Sequence, residues 1–214
     1  MSLLMRAPRE CASWLWELND NFTPGLQSAI KAAAQASEVF KNHGLLNPNG
    51  LEWDWFVFGL GGTGVHTRLS LAGKSLDDAL LVERVLECRP SGFPDAQVGD
   101  ILVTGTGIWL DSNGNEHLEE RLVEMTVSPD STGLSVEVAV FHDIWSEFDF
   151  HGYPHPEIHK HNAPRLTRAL LALESSLGEI GQPGDATYFG SAAGYGLQAP
   201  DVLDGRGPDL TDLL

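Results

Sequence analysis

Three histidines at a four-residue spacing are the strongest candidates for metal chemistry in this chain. They are His151, His155 and His159. On a helix this spacing would place the imidazoles on one face, where they could hold zinc. Pro154 and Pro156 interrupt such a helix. The sequence therefore favours a solvated, pH-sensitive loop over 146–162, with a ligand-binding or metal-binding enzyme domain as the alternative.

The neighbouring segment alternates carboxylates with an aromatic side chain. Its residues are Asp143, Trp145, Glu147 and Asp149. An aromatic side chain framed by carboxylates suits contact with Lys and Arg of a protein partner. We expect these four residues to form a partner-binding surface, with ordinary packing at the end of a strand as the alternative.

Residues 59–64, with the sequence GLGGTG, match the glycine fingerprint of dinucleotide-binding proteins. That fingerprint requires a helix that opens at the third glycine. Residues 65–71 instead alternate with a period of two and are rich in β-branched side chains. The pattern therefore predicts a glycine-rich β-hairpin, and the sequence predicts no cofactor.

Nucleophilic catalysis has no recognisable signature in the sequence. There is no Gly-x-Ser-x-Gly motif, and neither Cys11 nor Cys88 has an obvious histidine partner. We therefore predict no catalytic residue. The N-terminal segment contains no apolar run of signal-peptide length, and no stretch approaches 18 apolar residues. These features predict a cytoplasmic protein with reduced cysteines and no membrane span.

The charge of the chain restricts its partners. It contains 30 acidic and 13 basic residues, a formal net charge of −17 over 214 residues. Such a surface repels nucleic acid and anionic lipid and attracts basic proteins. We therefore expect a basic protein partner, no nucleic acid and no membrane. An acidic surface that serves solubility alone is the alternative.

Hydrophobic periodicity predicts an α+β fold: an antiparallel sheet, built as a hairpin and a β-meander, packed against two main helices. The predicted helices cover 10–20, 24–43, 75–82 and 163–177; the predicted strands cover 53–58, 65–71, 101–110, 117–127 and 134–140, with 85–88 extended and a turn over 128–133. We expect Thr23 to cap the second helix, Asn162 to cap the last one, and Gly178 to end it.

Composition also predicts the domain boundary and the core. We expect one domain over 1–189 and an extended or poorly ordered acidic tail over 190–214, which is rich in Gly, Ala, Pro and Asp. The six tryptophans suit core packing. Gly105 and Gly107 lie on one side of a strand, which indicates a close approach by another backbone or an aromatic ring, with a ligand groove as the alternative.

Residues 143–178 contain a distinctive series of short segments: Asp143-Ile-Trp145, Asp149-Phe-His-Gly152, Pro156-Glu157, Asn162-Ala-Pro-Arg-Leu166 and the leucine-rich helix that follows. This stretch resembles the acidic immunity proteins of actinobacterial polymorphic toxin systems. It implies a non-enzymatic protein that occludes the active site of a basic toxin such as a nuclease. The alternatives are the enzyme domain already described and a structural component of a bacterial assembly.

Overall fold

An antiparallel sheet of eight strands organises the chain. The computed structural model describes residues 4–18, 23–130 and 133–214. The strands are β1 (Ala12–Glu17), β2 (Asn47–Val57), β3 (Gly61–Ser70), β4 (Gln97–Leu110), β5 (Glu116–Glu120), β6 (Glu124–Ser128), β7 (Ser135–Val140) and β8 (Gln182–Pro183). Their order is β3-β2-β4-β6-β7-β1-β8, and β5 pairs with β4 beyond the end of β6. The predicted α+β class with an antiparallel sheet is confirmed.

Two long helices, α1 (Leu26–Asn42) and α3 (Pro156–Leu177), pack against one face of the sheet. A short helix, α2 (Leu81–Glu87), lies between them in the sequence. The alanine-rich side of α1 is buried, which permits a close approach to β6, where the Ser37 hydroxyl lies 3.7 Å from the Met125 sulfur. All six tryptophans are buried, as predicted. Burial of such side chains contributes about 1.5–3 kcal/mol each or more to stability.

The predicted first helix is wrong, because residues 12–17 form β1 between β7 and β8. The helix was predicted from the spacing of Cys11, Trp14, Leu15 and Leu18, whereas the fully buried residues Trp14, Trp16 and Leu18 follow a period of two. Pairing with β7 decides between the two patterns, since tertiary context overrides local propensity. Residues 19–20 of that prediction, and residues 131–132 of the predicted turn, lie outside the described residues.

Three other boundaries differ from the prediction. The helix expected over 75–82 is wrong for residues 75–80, which precede α2, and residues 85–87, expected to be extended, belong to α2. Leu81 and Val85 of α2 are buried one helical turn apart. The expected strand over 117–127 is divided into β5 and β6 at Arg121, which has a φ of 54°. Gly25, not Thr23, precedes the first residue of α1.

The last helix begins earlier than the sequence predicted. Pro156 occupies its first turn, where proline has no N–H to lose, and the backbone N–H of His159 donates to the His155 carbonyl at 3.2 Å. Asn162 therefore lies inside the helix and does not cap it. Its amide instead donates to the carbonyl of Leu110 at 2.8 Å and accepts from the Leu110 N–H at 2.9 Å. This pair of bonds ties α3 to the end of β4.

The glycine predictions agree with the structure. Residues 58–60 connect β2 to β3 as the expected hairpin, with Gly59 at a φ of 80°. Gly178 ends α3 in the left-handed conformation. A Cβ on Gly105 would lie 2.3 Å from the carbonyl oxygen of Asn47, so the neighbour that approaches this glycine is backbone.

Residues 190–214 follow the surface of the sheet and α3. Ala192–Ala193 (β9) and Gly196–Leu197 (β10) form a small antiparallel pair. The Leu210 N–H donates to the Phe150 carbonyl at 2.8 Å, so this segment contacts the loop before α3. Within the described residues both cysteines are free. None of the helices described is long and apolar enough to span a bilayer.

Candidate binding surfaces

The segment predicted to bind a partner lies mostly inside the molecule. Asp143 and Trp145 form a single 3-10 turn, and each is 1% exposed. The Met5 N–H donates to the Asp143 carboxylate at 3.2 Å. Burial raises the pKa of this carboxyl to about 7. Neither side chain reaches the surface that the sequence predicted for them, because the turn packs beneath the N-terminal segment.

The other two predicted contact residues differ in their roles. Glu147 is exposed. Asp149 is half-buried, and its carboxylate accepts the backbone N–H groups of His151 at 3.0 Å and Tyr153 at 2.8 Å. Asp149 therefore stabilises a local turn. Of the four predicted residues, only Glu147 has an exposed carboxylate.

The three candidate metal ligands have separate surroundings. The Nδ1 atom of His151 lies 2.7 Å from the Thr211 hydroxyl, and Nε2 of His155 donates to the Ser146 carbonyl at 2.9 Å. His151 precedes α3, whereas His159 lies within it. In the part of the chain that the structure describes, no three His, Cys, Asp or Glu residues are arranged to hold a metal ion.

A buried polar group that the sequence analysis missed lies beside this segment. His142 is 1% exposed, and its carbonyl lies 3.9 Å from the sulfur of Cys11. Burial lowers the pKa of His142 to about 4 and raises the pKa of the Cys11 thiol. The Cys11 side chain is 1% exposed, and a buried thiol whose pKa is raised is a poor nucleophile.

Three arginines and two glutamates form a continuous network on the face of the sheet opposite the helices. Glu52 is 8% exposed and accepts from Arg68 and Arg121, each at 2.5 Å. Glu124 accepts from Arg6 at 2.7 Å. Burial alone would raise the pKa of Glu52, but the two arginines outweigh it and lower this pKa. The network therefore neutralises three of the few cations in the chain.

The hairpin tip, residues 56–60, is the most exposed apolar feature. Phe58 is 89% exposed and Leu60 is 83% exposed. The turn places them there because Gly59 and Gly61 have positive φ values of 80° and 91°. Single exposed apolar residues are ordinary, but two that lie on either side of Gly59 in one exposed turn form a candidate contact patch.

A groove of about 440 Å³ runs beside the hairpin tip. Its apolar lining includes Phe56, Phe58, Leu86 and Val98. Asp100 and Asp130 line it as well, and Arg89, which donates to the Pro94 carbonyl at 3.3 Å, contributes one positive charge. The groove thus combines apolar side chains with carboxylates, at residues that the sequence analysis did not select as a site.

No family model, curated protein or solved structure matches this chain. The candidate surfaces are therefore defined by their geometry. The sequence does contain a signal for the hairpin tip: Phe58 and Leu60 flank Gly59 at a predicted turn. Large apolar residues in a turn have no core to enter, and this is the signal that could have identified the patch.

Proposed function

We propose that this protein is a non-enzymatic binding protein that engages a basic protein partner through its hairpin tip. The observation that carries the proposal is the exposure of Phe58 and Leu60 next to a groove that contains Asp100 and Asp130. Apolar anchors inside a polar rim are typical of the residues that dominate binding energy. Burial of one such side chain in an interface contributes about 1.5–3 kcal/mol.

The net charge supports the choice of a basic partner. A charge of −17 attracts a basic surface at long range and accelerates association. Three of the 13 basic residues, Arg6, Arg68 and Arg121, are paired with Glu52 or Glu124. These arginines therefore form no unbalanced basic patch that would repel such a partner.

The narrower form of the proposal is an immunity protein that inhibits a basic toxin domain in the cytoplasm. A nuclease must attract phosphate groups, so its active-site cleft is basic. An acidic protein with a protruding apolar tip has the charge and the shape to occlude such a cleft. The resemblance of residues 143–178 to immunity proteins is a second support for this form.

The test first searches the neighbouring genes for one that encodes a basic protein domain and then measures the binding of that purified domain. Isothermal titration calorimetry is run at about 50 mM and about 500 mM NaCl, which differ strongly in screening length. We expect the dissociation constant to rise at least about tenfold at the higher salt concentration, through a slower association rate. A salt-independent affinity, or no binding at either concentration, would refute the proposal. Inhibition of the domain's activity by the purified chain then tests the immunity role.

A further inference from the structure

The two edges of the sheet are protected very differently. At one edge, β8 has only two residues, Gln182–Pro183, and proline has no N–H to offer a further strand. At the other edge, β3 is ten residues long, and β2 is the only strand within the described ranges that pairs with it. A long outer strand is a template for pairing with another chain unless something covers it.

The side chains of β3 that continue the buried row of β2 are incompletely buried. In β2, Leu51 and Trp53 are fully buried, whereas Leu69 and Thr67, directly opposite them in β3, are only half-buried. Val65 is half-buried in the same row. The apolar layer of the sheet therefore extends to β3 without being closed there. A further strand would complete the burial of this row.

The ladder shows which backbone groups of β3 face outward. The N–H of Leu71 donates to the Asn49 carbonyl at 2.9 Å. Because bonded positions alternate in an antiparallel pair, Leu69 and Thr67 also face β2, and the backbone groups of His66 and Arg68 face away from it. One outward carbonyl is already engaged, since Arg84 donates to Ser70 at 3.0 Å. This bond covers the end of β3 and leaves the stretch near His66 accessible.

We infer, resting on the proposed function, that an extended segment of the basic partner adds to β3 as a further strand. Such a segment would pair its backbone with His66 and Arg68 and place apolar side chains beside Val65 and Thr67. The charge argues against a second copy of this chain as the occupant, because each copy carries −17 and the copies repel. The hairpin tip, at the start of β3, would contact the same partner.

The probe is a synthetic peptide, acetyl-Lys-Val-Thr-Val-Thr-Val-Lys-amide, titrated into the labelled full chain and followed by amide NMR shifts. Two variants isolate the backbone group: His66→Pro removes the outward N–H, and His66→Ala keeps it. Both lose the contact of His66 with Asp54, which is 3.1 Å long and exposed, so their difference reports the N–H. Proline is tolerated where the N–H of an edge strand faces solvent.

We expect peptide-induced shifts at residues 64–70, binding within about twofold of the parent for His66→Ala, and binding at least about tenfold weaker for His66→Pro. An absence of shifts, or equal binding by both variants, would overturn the inference. If His66→Pro melts well below His66→Ala, the parent chain is titrated with a peptide N-methylated at alternate residues: lost binding supports strand addition, and retained binding overturns it.

The same variants separate this inference from the proposed function. If the basic partner domain binds with strong salt dependence but ignores His66→Pro, only strand addition fails. If the peptide binds and the partner domain does not, the proposed partner fails and the edge remains a strand acceptor. Sedimentation of the free chain as a dimer that His66→Pro disrupts would assign the edge to a second copy and overturn the basic partner as its occupant.

Discussion

Glu52 and Arg121 meet at 2.5 Å on the face of the sheet opposite the helices, although 69 positions separate them in the sequence. Arg121 reaches Glu52 from the break between β5 and β6, where its backbone has a φ of 54°. A left-handed conformation at a non-glycine residue has a cost, and the backbone bond of Arg121 to Gly105 at 2.9 Å together with this ion pair offsets it. The backbone of Arg121 therefore separates β5 from β6, and its side chain neutralises the nearly buried carboxylate of Glu52.

We expect Glu52→Gln to destabilise the fold by about 1–2 kcal/mol, a value reduced for the solvent exposure of Arg68 and Arg121. The pKa of Glu52 is lowered in the fold, so its contribution is complete above its ordinary range and is lost as the pH falls. Urea unfolding at about pH 7 and about pH 4 measures both effects. Glu120→Gln, at an exposed position, is the control; an equal loss in both variants would contradict the role of the network.

His142 makes the fold sensitive to acid. Its pKa falls from 6.5 to about 4 because it is buried, so the unfolded chain takes up this proton more readily than the folded one. Stability is therefore lost as the pH falls from 6.5 towards 4. We expect His142→Gln to reduce this loss and His159→Gln, a half-buried helix position, to leave it unchanged. Acid titrations of the parent and both variants, followed by circular dichroism, measure this loss. Identical unfolding curves for the three proteins would contradict the role of His142.

Asp143 has the opposite pH dependence. Its pKa rises from 3.8 to about 7, so the ionised form is disfavoured in the fold and stability is lost as the pH rises through this range. Asn is close in shape to the neutral carboxyl and still accepts the Met5 N–H. We expect Asp143→Asn to gain roughly 2–4 kcal/mol relative to the parent between about pH 4 and about pH 8. A stability difference that does not change with pH would refute this account.

The hairpin tip should matter for binding and not for folding. Phe58→Asp adds a charge at a side chain that is 89% exposed, so we expect the free energy of unfolding to change by less than about 0.5 kcal/mol. Affinity for the basic partner domain should fall at least about tenfold, since the anchor is lost. Ile180→Asp, at a side chain that is 79% exposed elsewhere, should leave the affinity unchanged. Equal effects of the two variants would remove the tip from the interface.

Gly105 and Gly62 are a matched pair of strand positions that tests how tightly β2 and β4 pack. A Cβ on Gly105 would lie 2.3 Å from the Asn47 carbonyl oxygen and 2.9 Å from a Leu46 methyl group, whereas one on Gly62 would meet nothing within 4 Å. We expect Gly105→Ala to cost about 1–3 kcal/mol through overpacking and Gly62→Ala to be close to neutral. Thermal unfolding of both variants measures this. A neutral Gly105→Ala would show that β2 and β4 can separate at this point.

Local patterns were sufficient for the elements whose burial is periodic. The alternation through Trp53 and Trp55 predicted the second half of β2 but not its first half, which begins at Asn47, and Gly178 predicted the end of α3. Residues 11–18 were ambiguous, because their apolar residues fit a helix and a strand equally well. Only pairing with β7, a strand more than a hundred residues later, decides between them.

The candidate site was less accessible to sequence reasoning. Asp143 and Trp145 have the composition of a contact surface, but their burial depends on the N-terminal segment folding across them. The exposed apolar side chains lie instead at the hairpin tip, in a segment where the sequence analysis predicted only a hairpin. Residue type alone could not show that Asp143 and Trp145 are buried, because long-range packing decides which side chains face solvent.

The C-terminal segment crosses the loop before α3 at a point where both segments have a glycine, Gly207 and Gly152. A Cβ on Gly152 would lie 2.4 Å from the Gly207 carbonyl oxygen, and one on Gly207 would lie 2.8 Å from the ring of Phe148. Leu210 packs with Phe150 just beyond this crossing. Proteolytic removal of the last ten residues would therefore remove the contacts that Gly207 and Leu210 make with Phe148 and Phe150. A fusion at the C-terminus needs a spacer long enough to leave these contacts intact.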